Sequence, residues 1–239
     1  YRYQTPRPFK IILPQIAHGS VSGAEIASDL ALLWADSARV AVYSPEGELL
    51  PFPVFEEGTE FSLSSGLGAD HQLDFKSSTI PGLDEFTTGY VVAESDYPID
   101  EQVIYRTTDY GGKVYEADIR GCTPVTYLQI PFELNRSEDL NAALAIVNPS
   151  DAAMEIEIHV NDADRSYTEF WDPPLLTLQP GEQRALFMWE LWNGMPSADG
   201  RYILQLRSSV PFAAAAFYTR NWIVTGNLPV WSYQEGQAR

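Results

Sequence analysis

The sequence predicts an all-β protein built as two tandem antiparallel β-sandwich domains related by internal duplication. Apolar and polar residues alternate at a period of two along the whole chain, broken by Gly, Pro, Asn and Asp, which is the pattern of half-buried strands joined by turns. Segments with helical periodicity are scarce. The chain also echoes itself: Leu30 to Leu33, a turn at Trp34 to Ala38, and Val40 to Tyr43 return as Leu144 to Val147, a turn at Asn148 to Ala153, and Ile156 to Ile158, roughly 114 to 116 residues later. A second echo pairs Gly89 to Val92, Pro98, Tyr105 and Arg106 with Arg201 to Leu204, Pro211, Tyr218 and Arg220. A repeat of this length is domain-sized, well beyond the period of a solenoid.

With 239 residues the chain is long enough for one or two domains, and the repeat favours two, each able to bury its own core. An extended N-terminal arm is expected over residues 1–10, where Pro6 and Pro8 oppose regular pairing, then one sandwich over 11–120 and a second over 121–239. In the first sandwich, strands are expected at Phe9 to Leu13, Ile26 to Trp34, Arg39 to Ser44, Glu48 to Val54, Glu60 to Leu63, Gln72 to Phe75, Gly89 to Glu94, Gln102 to Thr107 and Lys113 to Ile119. The second offers Val125 to Phe132, Ala142 to Asn148, Met154 to Val160, Ser166 to Phe170, Leu175 to Leu178, Gln183 to Phe187, Gly200 to Arg207, Ala213 to Arg220 and Pro229 to Tyr233. Turn chemistry is explicit at Pro45 to Gly47, Asp109 to Gly112, Asn161 to Asp164 and Gln179 to Glu182. Phe187 to Trp192 reads as one or two helical turns, closed by Gly194 and Pro196, near the place where the first copy has the Gly/Ser-rich stretch Ser62 to Ala69. The junction falls at Arg120 to Pro124, which is too short and too ordered in composition to be a flexible linker.

The charge balance is 15 basic against 33 acidic residues, a net −18. Such a surface repels nucleic acid and anionic membrane alike. No apolar run approaches the roughly 18 residues of a membrane span, so membrane insertion is not expected. Arg2, Arg7 and Lys10 give the first ten residues three positive charges and no acid, the opposite sign to the rest of the chain. No charged-then-apolar leader opens the sequence, as for an exported protein whose signal peptide has been removed or for one that is not exported. The single Cys122 rules out an intrachain disulfide framework and reads as a small buried residue at the junction, with a reactive or interchain thiol as the alternative.

Chemistry-bearing residues do not converge. His18, His71 and His159 are scattered without ligand spacing; His18 sits in a loop-like context and His159 at an outward strand position. No nucleophile elbow is present. The acids Glu94, Asp96, Asp100 and Glu101, and the pair Asp162 and Asp164, read first as solvated turn residues and second as calcium ligands, and neither segment holds a complete calcium loop. Five of the six tryptophans, Trp171, Trp189, Trp192, Trp222 and Trp231, lie in the second half, with Trp34 in the first; they read first as core or interdomain packing, with a glycan platform or protein interface as alternatives.

Tyr105 to Ala117, Leu144 to Ala153, Leu178 to Glu182, Leu186 to Trp192 and the closing run Gly200 to Ala215 together resemble an immunoglobulin- or fibronectin-like β-sandwich module that recurs in tandem in secreted bacterial surface proteins. The resemblance covers nearly all of the second half and the later part of the first; Trp34, Ala35 and Asp36 stand where the second copy has the more typical Asn148, Pro149 and Ser150. It implies an extracellular or cell-surface location and carries no catalytic residue.

The expectation that follows is a non-enzymatic, secreted or cell-surface structural or interaction protein, a subunit or accessory of an extracellular assembly, without cofactor or metal. Its partner is expected to be protein, including self-association through the arm, where Arg2, Arg7 and Lys10 would meet an acidic neighbour. The plainer alternative for the arm is a frayed terminus. The alternative function is a carbohydrate-binding module whose sugar platform is Trp189, Trp192 and Trp222.

Overall fold

Sixteen strands and no α-helix stand among the described residues of the computed structural model, which are 9–21, 24–33, 37–50, 60–64, 71–75, 86–95, 100–163, 175–191, 199–221 and 223–232. They form two antiparallel sheets. The first holds β1 (Phe9–Val21), β2 (Ala24–Leu33), β3 (Ser37–Tyr43), β4 (Glu60–Ser64), β5 (His71–Phe75), β6 (Thr87–Ser95), β7 (Asp100–Thr108) and β8 (Val114–Arg120), ordered β4-β3-β6-β1-β2-β7-β8 with β5 also on β2. The second holds β9 (Val125–Leu134), β10 (Leu140–Val147), β11 (Met154–Asp162), β12 (Leu176–Leu178), β13 (Gln183–Phe187), β14 (Gly200–Arg220), β15 (Ile223–Leu228) and β16 (Trp231–Ser232). Its order is β12-β11-β14-β10-β13, with β9 and β15 also on β14 and β16 on β9.

Two long strands change partners along their length; a proline marks a register shift in one and the change of partner in the other. β1 pairs β6 from Phe9 opposite Ser95 to His18 opposite Thr87, then turns to β2 at Gly19 to Val21. Its register shifts between Leu13 and Ile16, where Pro14 has no N–H to give to a ladder. β14 pairs β9 and β11 up to Arg207, meets β9 once more at Phe212 opposite Val125, and pairs β10 from Ala213 and β15 from Ala216 onward. Pro211 lies at that break, and Ser208 Oγ accepts from the Val210 amide at 3.2 Å. The sequence predicts two strands here, Gly200 to Arg207 and Ala213 to Arg220; one strand of 21 residues runs through both.

Other differences are local. β15 was not expected, because Gly226 and Asn227 within it read as turn residues. Of Glu48 to Val54, residues 48–50 hold a single bridge, Leu49 to Tyr43, and the rest lies outside the described residues, as does Ser166 to Phe170. Pro229 to Tyr233 shortens to Trp231–Ser232, with residue 233 outside the described set. The helical turn at Phe187 to Trp192 is one 3-10 turn, Met188–Glu190, in which Glu190 Oε2 accepts from the Phe187 amide at 2.7 Å. His18 lies in β1, not in a loop.

The pairings recur in order. β3 pairs β4 and β6, β6 pairs β1, β2 pairs β5 and β7, and β7 pairs β8. β11 pairs β12 and β14, β14 pairs β9, β10 pairs β13 and β14, and β14 pairs β15. The single strand β14 stands in the second set where β6 and β7 stand in the first.

Burial explains the apolar runs. Leu128, Ile130, Leu144, Ile146, Ile156 and Phe212 belong to one core drawn from the second sheet and the 3-10 turn beside it. A second core of first-sheet residues, among them Leu13, Ile16, Val42, Val91 and Val103, also takes in Ala145, Ala215 and Phe217 of the second sheet. Alternate residues of β10 therefore serve different cores, Leu144 and Ile146 one and Ala145 the other. A strand buried on both faces needs a continuous apolar run, and the run Phe212 to Phe217 in β14, with four consecutive alanines, is one. Alanine on the face toward the first sheet lets the two layers approach closely.

Candidate functional site

The two sheets are tied together by backbone carbonyls of one reaching polar side chains and amides of the other. Gln183 opens β13 after the Pro180–Gly181 turn and is only 3% exposed. Its Nε2 donates to Pro14 O at 2.9 Å, Gln15 Oε1 at 2.6 Å and Gly89 O at 3.1 Å, and its backbone N–H donates to Pro45 O at 2.7 Å. Pro14 is the bulge residue of β1, so the carbonyl that the bulge turns out of its ladder is received by Gln183. Tyr90 Oη donates to Gly181 O at 2.9 Å, and the Asp118 amide donates to Asn227 Oδ1 at 2.9 Å. Ile12 and Cys122 exchange backbone hydrogen bonds of 3.1 and 2.8 Å. Cys122 itself is half-buried, its Sγ 3.6 Å from Ile12 O and 3.7 Å from Ala214 O.

Beside Gln183 lies a cavity of about 960 Å³ bounded by the described residues. Ile26, Tyr105, Ala143, Ala145, Phe187, Phe217 and Val224 give it apolar walls drawn from both sheets. Phe86, 39% exposed, and Tyr110, 81% exposed, line it from the solvent side. Tyr110 is held out by a tight turn: Asp109 Oδ1 accepts from the Gly111 and Lys113 amides at 2.9 Å each, and Gly112 takes the positive φ of 76° that closes the hairpin. This size and apolar character fit a small-molecule pocket.

Two carboxylates, Asp109 and Glu190, and one guanidinium, Arg184, are the charged groups of the lining. Burial pushes the Tyr105 phenol well above its ordinary range, and a hydrogen bond with Gln15 opposes this only in part, so the phenol stays protonated. The charged residues of the lining are engaged within the protein. Asp109 holds its turn, Arg184 pairs Glu182 at 2.6 Å, and Glu190 accepts from Phe187. By contrast, Thr107 Oγ1 and Gln183 Oε1 are buried without a hydrogen-bond partner among the described residues. The described lining contains no histidine, cysteine, serine or lysine. Its chemistry is that of burial and hydrogen bonding.

The residues expected from sequence to carry function fall elsewhere. Lys10 lies in β1 opposite Glu94 of β6, its Nζ 3.9 Å from the Glu94 carboxylate, both side chains well exposed. Arg2, Arg7, Trp192 and Trp222 lie outside the described residues; Trp189 falls in the 3-10 turn, its side chain outside the described set. The chain neighbours Glu190, Asn221 and Ile223 line the cleft. Trp231 opens β16 and is 48% exposed. His159 is half-buried in β11, and Asp162 ends that strand. No three His, Cys, Asp or Glu side chains among the described residues gather to hold a metal ion. Gln15, Thr107 and Gln183 carry no sequence signal for a site, since Thr107 and Gln183 read as ordinary polar ends of strands and Gln15 as a residue beyond the expected strand Phe9 to Leu13. Tyr110 had a legible signal in its Asp-Tyr-Gly-Gly turn, which marks a presented side chain without saying what it faces. No family model, curated protein or solved structure matches the chain.

Proposed function

We propose that this is a non-enzymatic structural or interaction protein of the bacterial exterior, a subunit or accessory of an extracellular assembly, built from two duplicated β-sandwich halves. The recurrent strand pairings support the duplication: Ser28 faces Tyr105 across β2 and β7, and Ala142 faces Tyr218 across β10 and β14, so one sequence echo keeps its register. Close carbonyl-to-side-chain ties between the halves favour a stiff unit over a flexible pair.

The observation that carries the interaction reading is the separation of charge. The first ten residues hold three cations and no acid on a chain of net −18. Lys10 is engaged with Glu94 of its own sheet, which leaves Arg2 and Arg7 as the arm's contacts with a second copy. The test is sedentation equilibrium of the intact chain beside Arg2→Glu/Arg7→Glu at low and high salt. The reading expects association of the intact chain, weaker in salt and lost in the variant. Monomers of both proteins at every concentration would overturn self-association through the arm.

A further inference from the structure

We propose that the cleft between the two sheets is a binding site for a neutral, largely apolar small molecule that carries at least one hydrogen-bond donor. The inference does not depend on self-association through the arm. Three observations converge on it. The cavity is about 960 Å³, the size of a site for a drug-sized molecule, and its walls are aromatic and aliphatic, with Tyr105, Phe187 and Phe217 among them. Two polar atoms of the lining residues are buried and unpartnered, the Thr107 hydroxyl on a residue 1% exposed and the Gln183 amide oxygen on a residue 3% exposed. An unpartnered buried polar atom costs free energy that a ligand's hydrogen bond recovers. Gln183 Nε2 is turned to three carbonyl-type acceptors, which fixes the amide orientation and leaves Oε1 as an acceptor.

Charge selects the class of ligand. Asp109, Arg184 and Glu190 line the site, but each is engaged by a group of the protein itself. An anionic ligand would enter an apolar cavity beside the carboxylates of Asp109 and Glu190, and burying a charge without a counter-ion is costly. A neutral donor-bearing molecule meets Gln183 Oε1 and Thr107 Oγ1 at no such cost. Exposed Phe86 and Tyr110 on the solvent side of the cavity present apolar surface to an entering ring.

The test uses the full chain and N-phenyl-1-naphthylamine, a neutral aromatic amine with one N–H whose fluorescence rises on leaving water, against the anionic 8-anilinonaphthalene-1-sulfonate. Saturable binding of the neutral probe at one per chain is expected, with the anionic probe at least about tenfold weaker. Thr107→Val removes the hydroxyl at nearly constant volume and is expected to weaken binding about five- to tenfold, with Thr107→Ser restoring it. Val224→Trp, at a half-buried wall position, is expected to block uptake by filling the cavity. Circular dichroism and the melting temperature of each variant establish that it is folded, and the Thr107→Ser comparison stands if Val224→Trp does not fold. Absence of saturable binding would overturn the proposal, as would binding that Thr107→Val leaves unchanged or equal binding of the two probes. Water alone in the cavity would give the first of these results.

Discussion

Gly47 and Gly181, the positive-φ residues of two turns far apart in the sequence, lie back to back where the two sheets meet. Their φ angles are 81° and 73°, and a methyl placed on Gly47 would come within 2.8 Å of the Gly181 carbonyl carbon. Gly47 is thus required twice, by the turn and by the neighbour, while a methyl on Gly181 would meet the Gly47 backbone at a tight 3.3 Å. Gly112 separates the two requirements, since its φ is 76° and nothing lies within 4 Å of the methyl it lacks. Gly112→Ala should cost about 1 kcal/mol for the left-handed backbone, and Gly47→Ala about 3 kcal/mol or more, measured by urea unfolding. Equal losses would mean that the turns do not press on one another.

Asn148 holds the second half's turns together. It is fully buried; its Nδ2 lies at 2.8, 3.2 and 3.0 Å from the carbonyls of Ala152, Leu178 and Gln179, and its Oδ1 accepts from the Ser150 amide and hydroxyl. Asn148→Asp keeps the shape but sets a carboxylate oxygen against three carbonyls. The expected loss is about 3 kcal/mol in chemical denaturation, against about 1 kcal/mol for Ser150→Ala.

Alkaline pH should loosen the junction. Tyr90 donates to Gly181 O and stacks on Tyr43 with ring centroids 5.0 Å apart. Burial, with Tyr43 beside it, raises the Tyr90 phenol from 10.0 to about 12. The folded state therefore keeps a proton that the unfolded chain releases. The stability from this group is fully present below pH 10 and is lost as pH rises from 10 through about 12. Tyr105 acts in the same direction. Tyr90→Phe should lose about 1 kcal/mol near neutrality and show a shallower decline above pH 10 in stability curves measured against pH. An unchanged alkaline slope would place that loss at other residues.

Gly89 sets a third packing constraint. A methyl there would collide with the Tyr43 carbonyl oxygen across the β3–β6 pairing, and backbone cannot move aside as a flexible side chain can. Gly89→Ala should lower the melting temperature by several degrees, more than Gly226→Ala, whose added methyl meets nothing within 4 Å.

Much of the fold could be read from alternation and turn residues, because both are local. β3, β7, β10 and β13 lie within a residue or two of their expected ends. What alternation leaves undetermined is the partner. Val42 faces Val91 and Ile158 faces Leu206, so if Val42 corresponds to Ile158, Val91 corresponds to Leu206 and not to Ile203. The β6 part of the second echo is therefore displaced by an odd number of residues, which exchanges the two faces of a strand: Val91 is a core residue and Ile203 is half-buried. Of the cleft, the sequence showed only the Asp109 to Gly112 turn that presents Tyr110. Gln15 and Thr107 come from β1 and β7 of the first sheet and Gln183 from β13 of the second, so the three meet through strand pairing and the packing of one sheet on the other.

Hydrogen exchange of the intact chain beside Gln183→Ala tests most directly whether the two halves act as one body closed around the cleft. Removing the amide leaves the Pro14 and Gly89 carbonyls without the partner they share. Protection of the β1 and β6 amides in the first sheet and of the β10 and β13 amides in the second should fall together, by about 2 kcal/mol or more. A variant in which β13 alone exchanges faster, with β1 and β6 as protected as before, would contradict the account.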